Sequence, residues 1–274
     1  MKFRTEIGPL KGSFEIAHSD RLVLIGSCFA DNIGEKLKQD GFNVVHNPLG
    51  PLFNPESVGK VLARGAKPYE EADFACYSDM WHCLDFANRF QSESPQHLAE
   101  LVNSSYLPFA KAIAEADVLI VTLGTSKVYK YNGATVGNCH KLPNNLFIEK
   151  YLTVDEVKNV ITVPNAARTI FTLSPVRYPG EGLDKGFLAK AILRVAIDNI
   201  CKANGYDYFP AFEIVNDDLR DYRFYAQDMK HPSEAAVDYI YEKFMEAYFS
   251  EDTRKKAAEC RKLSKLSSHR TIIA

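Results

Sequence analysis

The chain has 274 residues, of which 46% are hydrophobic and 25% are charged, a composition typical of a soluble globular protein with a full core. Its formal net charge of -2 excludes the global positive field that draws a protein to nucleic acid. No apolar run has the length of a signal-peptide core or a membrane span. We therefore expect a cytoplasmic protein with neither a nucleic-acid nor a membrane partner, and the six scattered cysteines predict free thiols.

The first part of the chain alternates buried strands with helices. Residues 21–26, RLVLIG, predict a buried strand, and apolar residues then recur at helical spacing as far as Gly41. Residues 42–46 predict the second strand. Asn54 and the proline after it have the pattern of a helix N-cap followed by the first helical residue.

Two irregular stretches interrupt the alternation in the middle of the chain. Residues 64–93 contain the only tryptophan and no sustained period, so we interpret them as an insertion packed over one end of a sheet. Ser94 then precedes another helix, and residues 118–124 predict the third buried strand. Residues 125–152 form the second irregular stretch.

The last part of the chain returns to the regular pattern. Residues 169–173 predict the fourth strand, and residues 208–215 predict the fifth, which we expect to be shorter because it is interrupted near Pro210. Asp184 begins the helix between them, and one face of this helix carries four apolar residues: Leu188, Ala191, Ile192 and Val195. A strongly amphipathic helix follows over residues 237–248.

Apolar strands that alternate with helices predict an α/β fold, in which a mostly parallel sheet is covered by helices on both faces. We assign residues 1–250 to this domain, with insertions at 64–93 and 125–152, and residues 251–274 to a basic helical tail. Parallel sheets bind ligands beyond the carboxyl ends of their strands. The residues that directly follow each strand are therefore the candidates for function.

Ser27 lies between the first strand and the first helix, where the helix dipole stabilises the negative charge that develops in acyl transfer. As an alternative, Ser27 is only the N-cap of that helix. Asp228 and His231 lie three residues apart in a predicted turn, a spacing that lets the carboxylate hold one imidazole nitrogen while the other acts as a base. The alternative for His231 is a surface residue beside an N-cap.

Several short motifs occur in order over about residues 20–250. They include GSCFA at 26–30, NPLG at 47–50, LGT at 123–125, SPVR at 174–177 and DMKHPS at 228–233. In this order they resemble the GSCFA family, a branch similar to the SGNH (GDSL-type) hydrolases. The resemblance implies a three-layer α/β/α sandwich with a five-stranded, mostly parallel sheet in flavodoxin-like order. It also implies that Ser27, Asp228 and His231 form a catalytic triad.

The resemblance further implies an oxyanion hole made by donors at the strand ends. The candidate donors are Ser27, Gly50, Gly124 and Thr125. This chain lacks the asparagine that such hydrolases place after the third strand, and the loss of one donor costs about a hundredfold or more in rate. A hydroxyl of Thr125 or Ser126, or the side chain of Asn54, is the alternative for that donor.

We expect the substrate pocket to be lined by side chains from the strand ends and from both irregular stretches: Asn54, Trp81, His82, Ser126, His140 and Arg177. Trp81 is alternatively a core residue. Arg177 could bind an anionic group of the substrate, but the residues favour a structural role, an ion pair with a carboxylate such as Asp228 or Glu213.

The cysteines near these residues suggest two further interpretations. Cys28 could replace Ser27 as the nucleophile, but adjacent residues at a helix start point about 100° apart, so we expect Cys28 to pack beneath a cleft-facing Ser27. The pairs His82-Cys83 and Cys139-His140 contain zinc-type ligands without the usual zinc spacing. We therefore expect no metal and no cofactor.

The residues favour ester hydrolysis through an acyl-enzyme, in which His231 takes the proton of Ser27 by a direct hydrogen bond. A small-molecule or glycan ester is the expected substrate, and a short acyl group on a carbohydrate rests on family analogy alone. An O-acyltransferase that uses the same triad is one alternative. A non-catalytic ligand-binding module with an incomplete oxyanion hole is the other.

Overall fold

The computed structural model describes residues 4–164 and 167–270. In chain order the strands are β1 (Arg21–Gly26), β2 (Asn43–His46), β3 (Ala75–Tyr77), β4 (Met80–His82), β5 (Gln91–Ser92), β6 (Val118–Leu123), β7 (Lys127–Tyr131), β8 (Ala134–Val136), β9 (Phe147–Tyr151), β10 (Arg168–Leu173) and β11 (Asp207–Phe209). The helices are α1 (Cys28–Gln39), α2 (Pro55–Arg64), α3 (Pro95–Ala114), α4 (Val154–Val160), α5 (Leu183–Asn204), α6 (Ala211–Glu213), α7 (Glu234–Tyr248) and α8 (Glu251–Arg270).

The central sheet has five parallel strands in the order β11-β10-β6-β1-β2, which is the flavodoxin-like order. Alternate side chains of its strands enter two separate cores. Val23 and Leu119 pack with α2, α3 and α5 on one face, whereas Leu22 and Ile120 pack with α1 and α7 on the other. Because helices cover both faces, the inner strands β1, β6 and β10 are buried along all or all but the first residue of their length. The predicted three-layer α/β/α sandwich is confirmed.

The fifth strand is interrupted at Pro210, as expected. It ends at Phe209, because Pro210 has no N–H to continue the ladder, and the chain turns into α6 and then a π-helix, Ile214–Leu219. Within the rest of the predicted strand, residues 211–215, the buried residues are Ala211, Ile214 and Val215. Their spacing of three and four residues is helical, so the period of the apolar residues was misassigned there.

The predicted apolar face of α5 is wrong as a core face except at Ile192, which is partly buried and packs against the core. Leu188 and Val195 are more than half exposed, and Ala191 is exposed too. The buried stripe of this helix is a different one: Ala189, Lys190, Leu193, Ala196, Ile197, Ile200 and Cys201. The exposed stripe is left without a partner within the described part of the chain.

Each irregular stretch folds around a small antiparallel sheet, β3-β4-β5 in the first and β8-β7-β9 in the second. The two contact each other where the N–H groups of Gly137 and Asn138 donate to the carbonyl oxygen of Leu84, at 2.8 and 3.0 Å. The first stretch also lies against the loop after β2, because Ala87 N–H donates to Leu49 O at 3.1 Å. Both insertions therefore pack beside the carboxyl end of the central sheet.

Of the basic tail predicted over residues 251–274, residues 251–270 form α8, whose first turns pack on the domain, and residues 271–274 lie outside the described residues. Ala257 is fully buried, and Arg261 forms two hydrogen bonds of 2.6 Å with the buried carboxylate of Asp40. The hydroxyl of Tyr241 donates to the same carboxylate at 2.8 Å. Over residues 4–164 and 167–270, no helix has the length and apolarity needed to cross a bilayer.

Candidate active site

Ser27 lies at the sharp turn from β1 into α1 and is 0% exposed. Its hydroxyl oxygen accepts a hydrogen bond from Phe29 N–H at 3.3 Å, so it is the N-cap of α1. The turn requires the preceding glycine, because Gly26 has φ of 137° and a Cβ there would lie 2.0 Å from the carbonyl oxygen of Thr122. The predicted N-cap is therefore present, and a nucleophile at this strand-to-helix turn would occupy the same position.

Asn47 holds this turn in place, a role that the sequence did not reveal. Its Oδ1 accepts from Gly26 N–H at 3.0 Å, and its Nδ2 donates to the carbonyl oxygen of Ser27 at 3.3 Å. The side chain is buried, and the backbone of Asn47 has φ of 34°, a region that asparagine tolerates better than other non-glycine residues. The one available signal was an asparagine directly after the second strand.

Asp228 and His231 are joined by the predicted hydrogen bond, with 2.6 Å between Asp228 Oδ2 and His231 Nδ1. Asp228 Oδ1 accepts from the N–H groups of Lys230 and His231 at 2.9 and 3.0 Å. The hydrogen bond from the His231 ring and these two amides hold the pKa of the Asp228 carboxyl well below its usual range. The carboxylate is therefore ionised, and it fixes the orientation of the imidazole.

This turn is tethered to the carboxyl end of the central sheet. Arg177, four residues beyond β10, donates its backbone N–H to Lys230 O at 2.9 Å. A second bond of 2.7 Å, from Ala226 N–H to His231 O, closes the turn on itself. The Asp228–His231 pair thus lies at the carboxyl end of the strands, as Ser27 does.

The direct hydrogen bond expected between Ser27 and His231 is not formed. In the part of the chain that the structure describes, the Ser27 hydroxyl bonds only to Phe29 N–H, and His231 Nε2 has no hydrogen-bond partner. The imidazole therefore keeps a nitrogen available as a base. The Ser27 oxygen only accepts in its cap bond, so the proton of the hydroxyl stays available for donation to a base.

The predicted oxyanion donors need correction, because all four backbone N–H groups already donate to carbonyl oxygens of the fold. The acceptors are Thr122 O for Ser27 (3.0 Å), Asn47 O for Gly50 (2.8 Å), and Phe53 O for Gly124 (2.8 Å) and Thr125 (3.0 Å). Cys28 N–H, the first amide of α1, donates to no carbonyl oxygen among the described residues, and it interacts with the sulfur of its own side chain. It is therefore the amide beside Ser27 that can donate a hydrogen bond to a developing negative charge.

The three side chains considered as substitute donors differ in what they do. The Thr125 hydroxyl accepts from Lys127 N–H at 3.1 Å, and Asn54 Oδ1 accepts from Ser57 N–H at 2.9 Å as the N-cap of α2. The Ser126 hydroxyl is fully buried and makes no hydrogen bond within the described ranges. In the Thr125 and Asn54 bonds the side-chain oxygen accepts, so both residues keep their donors, and Ser126 differs from them in that its hydroxyl makes no hydrogen bond at all.

Cys28 and Ser27 are placed in the opposite way to our expectation. Cys28 is half-buried, whereas Ser27 is fully buried beneath the surface. Burial, reinforced by the nearby carboxylate of Asp31, raises the pKa of the Cys28 thiol to about 11. The thiolate needed for nucleophilic attack is therefore rare at neutral pH, which argues against a cysteine nucleophile.

The histidines of the two insertions bind each other. His82 Nδ1 and His140 Nδ1 are 3.2 Å apart, both rings are buried, and His140 Nε2 bonds to Phe86 O at 2.9 Å. Trp81, on β4, is half-buried and packs on the core. These residues join the insertions, and none of the described residues form a cluster of three metal-type ligands.

Arg177 does not form the predicted ion pair with Asp228 or Glu213. Glu213 binds Arg194 and Tyr208 instead, and Asp228 binds His231. The Arg177 guanidinium lies 5.4 Å from the ring centre of Tyr222 and 5.2 Å from that of Tyr225. It has no carboxylate partner among the described residues, so its charge is available to a ligand.

One comparison with known proteins bears on the whole domain. The sequence model described as the GSCFA family matches residues 21–244, which contain all five central strands, Ser27 and the Asp228–His231 turn. No curated protein matches the chain.

Proposed function

Because the chain belongs to the GSCFA family, we propose that it is a serine hydrolase of the SGNH type that cleaves esters through an acyl-enzyme on Ser27. The observation that carries the proposal is the Asp228–His231 hydrogen bond, which leaves His231 Nε2 without a partner among the described residues. This turn lies at the carboxyl end of the sheet, where Ser27 also lies. A histidine oriented by a carboxylate and carrying a free nitrogen is the arrangement that activates a serine.

The proposed reaction begins when Ser27 and His231 approach each other and the Ser27 hydroxyl donates to His231 Nε2, which its accepted bond from Phe29 N–H does not prevent. As Ser27 Oγ bonds to the ester carbonyl carbon, His231 takes the proton, and Cys28 N–H donates to the carbonyl oxygen as it becomes negative. His231 then gives its proton to the departing alcohol. A water molecule, deprotonated by His231, releases the acid and restores Ser27.

We further propose that the substrate is a small-molecule or glycan ester. The Ser126 hydroxyl, which follows β6 and makes no hydrogen bond within the described ranges, is a second donor for the oxyanion. It takes the place of the asparagine that SGNH hydrolases have after the third strand. Ser27 lies beneath the surface, so productive binding also requires a local opening above it.

The test is hydrolysis of p-nitrophenyl acetate and butyrate at pH 7.5. We expect Ser27→Ala and His231→Gln to lower kcat by a factor of about 10⁴ or more, and Asp228→Asn by about 10³–10⁴, as for other triads. Cys28→Ser is the matched control and should keep its rate within about threefold, because it retains the backbone N–H. Hydrolysis that survives Ser27→Ala would refute the proposal.

One observation favours a second candidate, a ligand-binding module without catalysis. Ser27 is 0% exposed, and the amides of Ser27, Gly50 and Gly124 are occupied by the fold. A protein of this kind would release no p-nitrophenol above the Ser27→Ala background from any ester in a broad panel. Turnover that depends on both Ser27 and His231 would exclude it.

A further inference from the structure

Two surface cavities meet at Arg177 and Tyr225, beyond the carboxyl end of β10. We call the one of about 230 Å³ that lies against the first turns of α5 the α5 pocket. Its apolar wall consists of Tyr178, Leu183, Phe187 and Phe212. Leu183 is 60% exposed and Phe187 is 63% exposed, so a bound apolar group would cover surface that now faces solvent.

The two charged side chains that line the α5 pocket are both positive. Arg177 and Lys190 line it, and no carboxylate does so among the residues that the structure describes. The Lys190 ammonium is buried and donates to Ser174 O at 2.6 Å. In the neighbouring cavity, by contrast, Arg220 is accompanied by Asp217 and Asp221. An anion is therefore favoured in the α5 pocket over the cavity beside it.

The pocket is built from residues that are bonded to the carboxyl end of the sheet and to the turn that carries His231. The backbone N–H of Arg177 donates to Lys230 O, one residue before His231. Lys190 donates to the carbonyl oxygen of Ser174, the residue directly after β10. A ligand in this pocket therefore lies next to the turn that supplies the proposed base.

We propose that the α5 pocket binds the acyl group of the substrate. This acyl group is apolar and carries, besides the ester carbonyl, a carboxylate or phosphate that Arg177 binds. The planar guanidinium suits both anions, since it can donate two parallel hydrogen bonds to either. A cavity of about 150 Å³ holds benzene, so the volume here suits on the order of ten non-hydrogen atoms. That this ligand is a substrate rests on the proposed function, whereas its binding does not.

The test is calorimetric titration of the Ser27→Ala protein, in which no ester can be turned over, with four probes: hexanoate, hexyl phosphate, hexanamide and acetate. We expect hexanoate to bind at least about tenfold more tightly than hexanamide, which lacks the charge, and than acetate, which lacks the chain. Comparison of hexanoate with hexyl phosphate identifies which anion the site prefers.

Two substitutions separate the charged and apolar parts of the pocket. Arg177→Gln should weaken hexanoate about tenfold and leave hexanamide unchanged, whereas Phe187→Ser should weaken both by a similar factor. The controls are Arg220→Gln, the cation of the neighbouring cavity, and Leu188→Ser, exposed on the same helix outside the pocket. Both controls should bind hexanoate as the parent does.

Equal affinity for hexanoate and hexanamide, or unchanged hexanoate binding in Arg177→Gln, would overturn the proposal, as would absence of binding by all four probes. Because the titration uses the Ser27→Ala protein, its outcome is independent of the kinetics. Binding without ester hydrolysis by the unaltered protein would leave the pocket assigned and refute the hydrolase. Ester hydrolysis without binding of any probe would support the hydrolase and refute the assignment of the pocket.

Discussion

Replacement of Asn47 by alanine removes the side chain that fastens the turn carrying Ser27. The Gly26 N–H then loses its acceptor in a buried position, which costs about 1–3 kcal/mol. Ser27 O keeps its hydrogen bond from Ala30 N–H, so it adds little. Alanine must also adopt the φ of 34° that asparagine holds, at a further cost of about 1–2 kcal/mol. We expect a total loss of about 2–5 kcal/mol in the free energy of unfolding.

Urea unfolding followed by circular dichroism measures this loss as a lower midpoint at an unchanged slope. Asn132→Ala is the matched control, because Asn132 also has a left-handed backbone, with φ of 49°, but is exposed in the β7–β8 turn. It should lose only the backbone cost of about 1–2 kcal/mol. Asn47→Ala no less stable than Asn132→Ala would refute the reasoning that the hydrogen bonds of Asn47 hold the turn.

The other predictions concern the tail and the insertions. Arg261→Ala leaves the Asp40 carboxylate, 1% exposed, with only the hydroxyl partner, and because Arg261 is itself partly exposed we expect a loss of about 2–3 kcal/mol in urea unfolding. Burial lowers the pKa of both His82 and His140, so the unfolded chain binds protons that the folded protein excludes. The stability they contribute is complete above about pH 6.5 and is lost as the pH falls below it, by up to about 1.4 kcal/mol per pH unit for each ring. His140→Gln should therefore flatten the decline in unfolding midpoint between pH 7.5 and 5.5.

Two exposed residues provide the controls for these predictions. Lys255→Ala breaks an exposed helical pair with Glu251 and should leave the unfolding midpoint unchanged. His97→Gln removes a histidine that is mostly exposed and should leave the pH dependence unchanged. An Arg261→Ala protein as stable as Lys255→Ala would contradict the tail contact, and an unaltered pH slope in His140→Gln would contradict the histidine pairing.

The sequence predicted those parts of the fold and site that depend on local pattern. The turn at Ser27 follows from a buried strand that runs directly into a helix, and the Asp228–His231 bond follows from a spacing of three residues. The order of the central strands came from the resemblance to a family. The misassigned segment after Pro210 shows the limit of this approach, since a short apolar run fits a buried strand and a buried helix equally well.

Tertiary contacts decide the features that the sequence did not predict. The amide of Ser27 looks free from its place after β1, but the neighbouring strand supplies Thr122 O as its acceptor. Burial of Ser27 rather than Cys28 likewise depends on what covers the helix start. Arg177 lacks a carboxylate because Glu213 lies closer to Arg194, an arrangement that no spacing along the chain encodes.

The most direct test of the central claim is the site of covalent labelling by a fluorophosphonate probe. After trypsin digestion, residues 22–36 form one peptide that contains both Ser27 and Cys28, and tandem mass spectrometry distinguishes the two. We predict one label per chain, on Ser27, with at least tenfold slower labelling in His231→Gln. A label on Cys28, or no label under conditions that modify a known serine hydrolase, would contradict the proposal that Ser27 is an activated nucleophile.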